Sequence, residues 1–406
     1  MIKKDAAIGF IFATLLLDVI GFGIIIPVLP RLLSEMQGIG INEASKYGGY
    51  LLFAFAVAQF IFSPVIGNLS DQFGRRPVLL LSLLGFSIDY LILAFAPDFW
   101  WFFIGRIIAG ITGASFTTAA AYIADISTPE TRSKNFGMIG AAFGLGFIIG
   151  PFLGGVLGQY GLKIPFYVAA ALSFTNFLYG YFILPESLSS DKRRKFDFRR
   201  ANPWGSLKHI GKYKNVRYLL LAYFFLYVGS HAVQSTWNYF TMYRFGWSEA
   251  MVGYSLAIVG ILVALVQAVL AQKSAYFLGL ERSIVIGFGL YTAGMFLFSI
   301  ANQSWMLFLF LIPYCFGGIA MPNLQSYMVG KVEANQQGEL QGTLTSLMSL
   351  TTIIGPIMMT SIFYYFTTGL APFVFPGVAF FVGGILMGIS LIITWKVLLP
   401  KAPKLL

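Results

Sequence analysis

The chain has 406 residues, of which 57% are hydrophobic and 11% charged, with a mean hydropathy of +0.77. A soluble chain carries about a quarter charged residues, so this one lacks the charge to cover a soluble surface of its size. A single cysteine, Cys315, leaves no disulfide framework or Cys-based metal cluster, and the net charge of +11 has to be judged by where the charges fall.

Apolar runs fall at 6–33, 46–70, 78–97, 99–124, 135–160 and 164–185, then at 217–243, 249–272, 283–301, 304–330, 340–366 and 370–398. A membrane span needs roughly 20 apolar residues, so the pattern predicts an all-α membrane protein with twelve transmembrane helices. The first run follows Lys3 and Lys4 and is interrupted by Asp18. It is too long for a signal-peptide core and reads as a retained helix. Of the 27 Lys and Arg residues, Arg31, Lys46, Lys163 and Arg244 fall on one side of such a bundle and Arg106 lies inside a span. All the others fall on the opposite side, which the positive-inside rule makes cytoplasmic, with both termini and the central loop. The basic excess is then a topology signal with some attraction to anionic lipid, and no nucleic-acid partner is expected.

The polar stretch near the middle divides the spans six and six. This predicts an N-terminal bundle at 1–185, a cytoplasmic linker at 186–214 and a C-terminal bundle at 215–406. Gly137, Gly150 and Pro151 recur 205 residues later as Gly342, Gly355 and Pro356, and Gly74 recurs as Gly279, the mark of a duplication. Two pseudo-symmetric six-helix bundles place a site between them at mid-depth and allow alternating access.

The charges inside spans are not duplicated. Counted along the helices at 1.5 Å per residue, Asp18 and Asp89 lie about 20 Å from the cytoplasmic face and Arg106 about 12 Å from the other, near one level. Each costs about 2.5–3.5 kcal/mol at mid-bilayer unless wetted or paired. One reading makes Asp18 and Asp89 proton carriers with Arg106 beside them. The other makes Asp89 and Arg106 a static pair holding helices together. Gln59, His231, Gln234, Gln267, Asn323 and Gln325 are uncharged polar groups in spans, and with Trp237 they are candidate substrate contacts. Interhelical hydrogen bonding and core packing are the alternatives for each of them.

Between the second and third spans the chain reads Gly67-Asn68-Leu69-Ser70-Asp71-Gln72-Phe73-Gly74-Arg75-Arg76. The glycines permit a tight turn, and Asp71, Arg75 and Arg76 can make charge-assisted contacts that form and break as a conformational latch. This stretch resembles the G-x-x-x-D-[RK]-x-G-R-[RK] signature of the major facilitator superfamily, with Gln72 departing at one place. Arg106 to Ala114 resembles the fourth-span motif to which that family assigns a part in proton transfer. Gly137, Gly146, Gly150, Pro151, Gly154 and Gly155 have the spacing of the fifth-span motif of drug/proton antiporters, a smooth packing face with a proline kink. The chain is further similar to the bacterial tetracycline/proton antiporters, from Gly105-Arg106 through Tyr122-Ile123-Ala124-Asp125 to Arg244-Phe245-Gly246-Trp247 and Gln341-Gly342-Thr343. In that resemblance Asp18 and Asp89 match essential first- and third-span acids. The family's ninth-span aspartate falls at Tyr291 and its eighth-span histidine at Val263.

The resemblance implies the major facilitator fold and a proton-coupled antiporter that exports amphiphilic organic compounds, with tetracycline itself called into question by Tyr291 and Val263. An importer or facilitator of a small metabolite is the alternative. The expected partners are a small amphiphilic substrate, protons and the lipid bilayer, for a monomer in the bacterial inner membrane. No metal or cofactor is expected, and no metal-spaced ligand cluster, nucleophile elbow or phosphate-cradling loop marks an enzyme.

Overall fold

The computed structural model describes residues 2–113, 115–197, 216–333 and 336–399, with the backbone alone at 2–7, 115, 129 and 132–134. Ala114, the linker beyond residue 197, the side chains of Arg132 and Lys134, and the C-terminal lysines 401 and 404 lie outside the described residues. Sixteen α-helices occur among the described residues, with no strand. In chain order they are α1 Ile2–Ile25, α2 Leu29–Gln37, α3 Ile41–Phe73, α4 Arg75–Phe95, α5 Phe99–Gly113, α6 Ser115–Ile126, α7 Pro129–Gly158 and α8 Ile164–Ile183. There follow α9 Arg217–Phe245, α10 Glu249–Leu265, α11 Ala271–Leu278, α12 Leu280–Ile300, α13 Ser304–Phe316, α14 Ala320–Val329, α15 Gln337–Thr367 and α16 Val378–Leu398.

Each of the twelve apolar runs contains a helix among the described residues. Eleven helical segments among the described residues are long and apolar enough to cross a membrane. The remaining run is α9, whose 29 residues are long enough to cross but include Ser230, His231, Gln234, Ser235, Thr236, Asn238 and Thr241. Its hydroxyls stay satisfied within the helix: Ser235 donates to the His231 carbonyl at 2.6 Å and Thr241 to the Trp237 carbonyl at 2.8 Å.

Prolines account for most departures from the expected boundaries. The first run breaks at Ile26–Val28, where Pro27 offers no N–H, and Pro30 then sits in the first turn of α2. The last helix begins only at Val378, because Pro372 and Pro376 interrupt the start of its run. The eighth run is continuous from Glu249 to Leu278 but contains a π-turn at Val266–Leu270. The exposed Glu130 carboxyl in the first turn of α7 accepts a hydrogen bond from Thr128, which holds it below the usual carboxylate range.

Contacts divide the chain into two units, Met1–Pro203 with Trp247–Gly260, and Trp204–Gly246 with Ile261–Leu406. In the first, α1 packs on α7 and α8, α3 on α5, and α4 on α5 and α8. Phe10, Ile11, Leu15, Leu79, Leu83 and Tyr122 form part of its buried core. In the second, α9 packs on α15 and α16, and α12 on α13 and α16. Its core is aromatic, with Trp237 5.2 Å from Phe298 and Phe240 4.9 Å from Phe380 between ring centroids. Edge-to-face pairs of this kind add about 0.5–1.5 kcal/mol each beyond burial.

Candidate functional site

Asp18, Asp89 and Arg106 are buried in the interior of helices of the first unit. Asp89 on α4 is completely buried, and its Oδ2 accepts a hydrogen bond from Arg106 Nη2 on α5. Gly105, one residue before Arg106, lets α4 approach: a Cβ there would come within 2.7 Å of Asp89 Oδ1. That Oδ1 and Arg106 Nε carry no hydrogen bond. The pairing of opposite charges allows both to be sunk in an apolar bundle.

Asp18 on α1 is 7% exposed, makes no ion pair among the described residues, and has an Oδ1 without a donor. Tyr90 connects it to the pair. Tyr90 follows Asp89 on α4, and its hydroxyl lies against Gly21, one turn beyond Asp18 on α1. The cluster therefore contains a balanced acid and an unbalanced one.

The signature loop joins α3 to α4 through Gly74, whose φ of 105° is costly for any residue with a Cβ. Arg75 is the hub. Its Nη1 lies 2.6 Å from Asp71 Oδ1 and 2.6 Å from Ser70 Oγ, and its Nε lies 3.2 Å from Asp125 Oδ2 at the end of α6. Glu186, just past α8, caps the start of α4 by accepting from the backbone N–H of Arg75 at 2.8 Å and of Arg76 at 3.2 Å. The same carboxylate accepts from Ser187 and Leu188. A carboxylate at a helix N-terminus is favoured both by the free N–H groups and by the helix dipole. Arg76 donates to the Tyr181 carbonyl at 2.7 Å, while Arg194 N–H and Asn68 tie the linker to the loop through Asp71 O and Asp197 O. Sequence reasoning singled out neither Asp125 nor Glu186; the signal available was a carboxylate at the end of each neighbouring span.

The fifth-span glycines differ in what they touch. Gly146 meets Val19, Gly150 meets the Ile20 carbonyl and Gly23, and Gly154 meets the Ile24 backbone, so this face carries α1. Gly155 faces Ala250 and Gly253 of α10, and Pro151 lies inside α7 against Gly23 and Gly253. Gly137 touches nothing that a Cβ would disturb.

The polar candidates separate in the same way. Asn323 is buried and donates to Ala271 O, Ser274 Oγ and Ile319 O, which makes it a tie between α11 and α14. Trp237 is part of the aromatic core. His231 is buried with its ring against Gly355, and its Nε2 carries no hydrogen bond. Gln59 reaches the Gly113 carbonyl at 3.4 Å. Gln234 is exposed on α9, Gln267 is exposed within the π-turn, and Gln325 hydrogen-bonds to Tyr223, which in turn bonds to Tyr227. Tyr291 packs on Gly317 and stands 5.4 Å from Tyr314 between ring centroids. Among the described residues no three His, Cys, Asp or Glu side chains converge as a metal site.

Comparison with known proteins bears on the family and the fold. The chain is 40% identical to the tetracycline resistance protein, class C, of Escherichia coli, over 89% of this chain and 90% of that protein. It is 39% identical to the class B protein of Escherichia coli, over 86% of each. It is 30% identical to multidrug resistance protein 2 of Bacillus subtilis, over 93% of this chain and 92% of that one. Among solved structures, the human organic anion transporter MFSD10 is similar with a TM-score of 0.71 at 26% identity, covering 97% of this chain and 99% of that one. A bacterial homolog of the lysosomal transporter Spinster, in an inward-facing occupied conformation, has a TM-score of 0.76 at 15% identity, over 98% and 97%. The family model of the major facilitator superfamily matches residues 11–356 and 219–405, and with these relatives the chain belongs to that superfamily, a multi-pass, all-α membrane protein of the major facilitator fold.

Proposed function

We propose that the protein is a proton-coupled antiporter that exports amphiphilic organic compounds by alternating access. The observation that carries this is Asp18, a buried acid with no counter-charge among the described residues, in the same unit as the buried Asp89–Arg106 pair. A static scaffold has no use for an unpaired carboxylate at that depth, whereas a proton carrier requires one. The tetracycline and multidrug resistance proteins that the chain resembles favour export of a drug-like compound.

In this reading, Asp18 and Asp89 exchange protons and Arg106 sets the competition for Asp89. Gly67, Asp71, Gly74, Arg75 and Arg76, with Asp125 and Glu186 as their partners, form a latch on the cytoplasmic face. Both termini lie on that side of the bacterial inner membrane, and the working unit is the monomer. Gln59, His231, Gln234, Gln267 and Gln325 are the substrate contacts that remain after Asn323 and Trp237 are set aside as packing residues. Tyr291 and Val263 stand where the tetracycline antiporters carry an acid and a histidine, which points to a substrate other than tetracycline.

The test is a panel of amphiphilic drugs applied to cells lacking their own efflux pumps and expressing either the wild type or Asp18→Asn. Resistance to at least one compound that vanishes in the variant supports export through this acid. Equal resistance with both proteins refutes proton carriage by Asp18, and increased uptake of a metabolite with the wild type refutes export.

A further inference from the structure

One buried charge outside the proton cluster has no part in the scheme above. Glu249 opens α10, and its side chain is only 4% exposed, yet it stands at a helix end that the chain order places at the membrane face opposite the Gly67–Arg76 loop. Its partner is Arg31 of α2, with Nε 2.9 Å from Oε1 and a side chain 45% exposed.

Glu249 is buried because α10 lies directly on α7. A Cβ on Gly155 would stand 2.6 Å from the Glu249 carbonyl oxygen and 3.1 Å from the Cα of both Ala250 and Gly253. Gly158 faces the Glu249 Cβ and Cγ at 3.3 and 3.4 Å, and the Phe152 and Tyr254 rings are 5.8 Å apart. Residues 247–260 therefore belong by contact to the unit that contains α1 to α8, while from Ile261 onward the same helix belongs to the other unit. The π-turn at Val266–Leu270 follows shortly after this handover. A π-turn interrupts the regular hydrogen-bond ladder and is a common site of helix bending. A helix shared between two units, bendable just past the handover and pinned at its tip by a charge pair, is suited to be held in one state and released in another.

We infer that Arg31–Glu249 is a lock: it fastens the first half of α10 to α7 and parts when that face of the protein opens. This rests on the alternating-access reading and makes both residues positioning residues of the transport cycle. The unequal exposure fits a releasable lock. Glu249 needs a counter-charge while it is covered, whereas Arg31 is already half in water and is cheaply taken up by it. The glycine face supplies the fit, and the charge pair supplies the bias between the two states.

The test uses purified protein in nanodiscs, with Cys315→Ser as background and Ala250→Cys as a reporter beneath α7. The rate of reaction with a water-soluble maleimide measures how often α10 leaves α7. Arg31→Glu and Glu249→Arg are each expected to raise that rate roughly fivefold to tenfold, a bias of about 1–1.4 kcal/mol, and to lower turnover. The charge-swapped double variant is expected to return both within about twofold of the background. Where Glu249→Arg does not fold, Arg31→Gln carries the test from the exposed side. Unchanged labelling in the single variants, or a swap that fails to restore it, overturns the lock. The labelling ratio needs no substrate, so absence of proton-coupled transport in the unsubstituted protein sinks the exporter reading without deciding this one.

Discussion

The Asp89–Arg106 pair offers the sharpest separation between carrying protons and holding helices together. Asp89→Asn deletes one charge of a buried pair and leaves the Arg106 guanidinium, 9% exposed, without its counter-ion. Breaking a buried pair from one side costs about 3–5 kcal/mol, and the loss should fall near the lower value because the asparagine oxygen still accepts from Nη2. Removing the second charge as well, in Asp89→Asn/Arg106→Gln, leaves two neutral groups within hydrogen-bonding reach and should recover most of that stability. Function is expected to diverge from stability. One proton moved across 100 mV supplies about 2.3 kcal/mol, enough at one proton per substrate to sustain about a 50-fold gradient. In proteoliposomes with an imposed potential, both variants are expected to let that gradient collapse toward unity, although only the single variant unfolds early in a thermal ramp. A double variant that is stable and still drives accumulation would show that Asp89 is a structural counter-ion and refute its role in proton exchange.

Asp125→Asn should slow substrate turnover about as much as Asp71→Asn, because both oxygens meet the same guanidinium of Arg75; a drop in substrate affinity at unchanged turnover would contradict the latch. Glu186→Ala removes the acceptor of four backbone N–H groups and is expected to lower stability by about 1–3 kcal/mol, read as an earlier thermal transition. Gly154→Val drives a side chain into the Ile24 backbone and should abolish the yield of monodisperse protein, whereas Gly137→Ala should leave yield and transport unchanged. Tyr291→Asp places an acid without a partner in the second unit and should cost about 2.5–3.5 kcal/mol. If its thermal transition matched the wild type, an unrecognised counter-charge would be present.

What could be read along the chain was whatever the bilayer imposes residue by residue. Span length, the expected side of the loop charges and the expected depth of Asp18, Asp89 and Arg106 follow from hydropathy and helical rise, and the 205-residue recurrence of Gly137, Gly150 and Pro151 is read from the residues themselves. The turning of each helix about its own axis was not legible, and the tertiary structure decided it. Rotation joined Arg106 to Asp89 and left Asp18 without a counter-charge among the described residues, and it made Arg75 a bridge from Asp71 to Asp125. It also buried Trp237 and Asn323 in packing while leaving Gln234 and Gln267 exposed. The glycine face of α7 was visible as spacing, but only packing showed that Gly146, Gly150 and Gly154 carry α1 while Gly155 carries α10. Arg31 and Glu249 lie more than two hundred residues apart at two span ends, where charges are ordinary, so nothing in their local sequence marks them as partners. Depth along a helix is a one-dimensional quantity, whereas a contact between helices depends on rotation and close approach to within an ångström, which the packed side chains determine together.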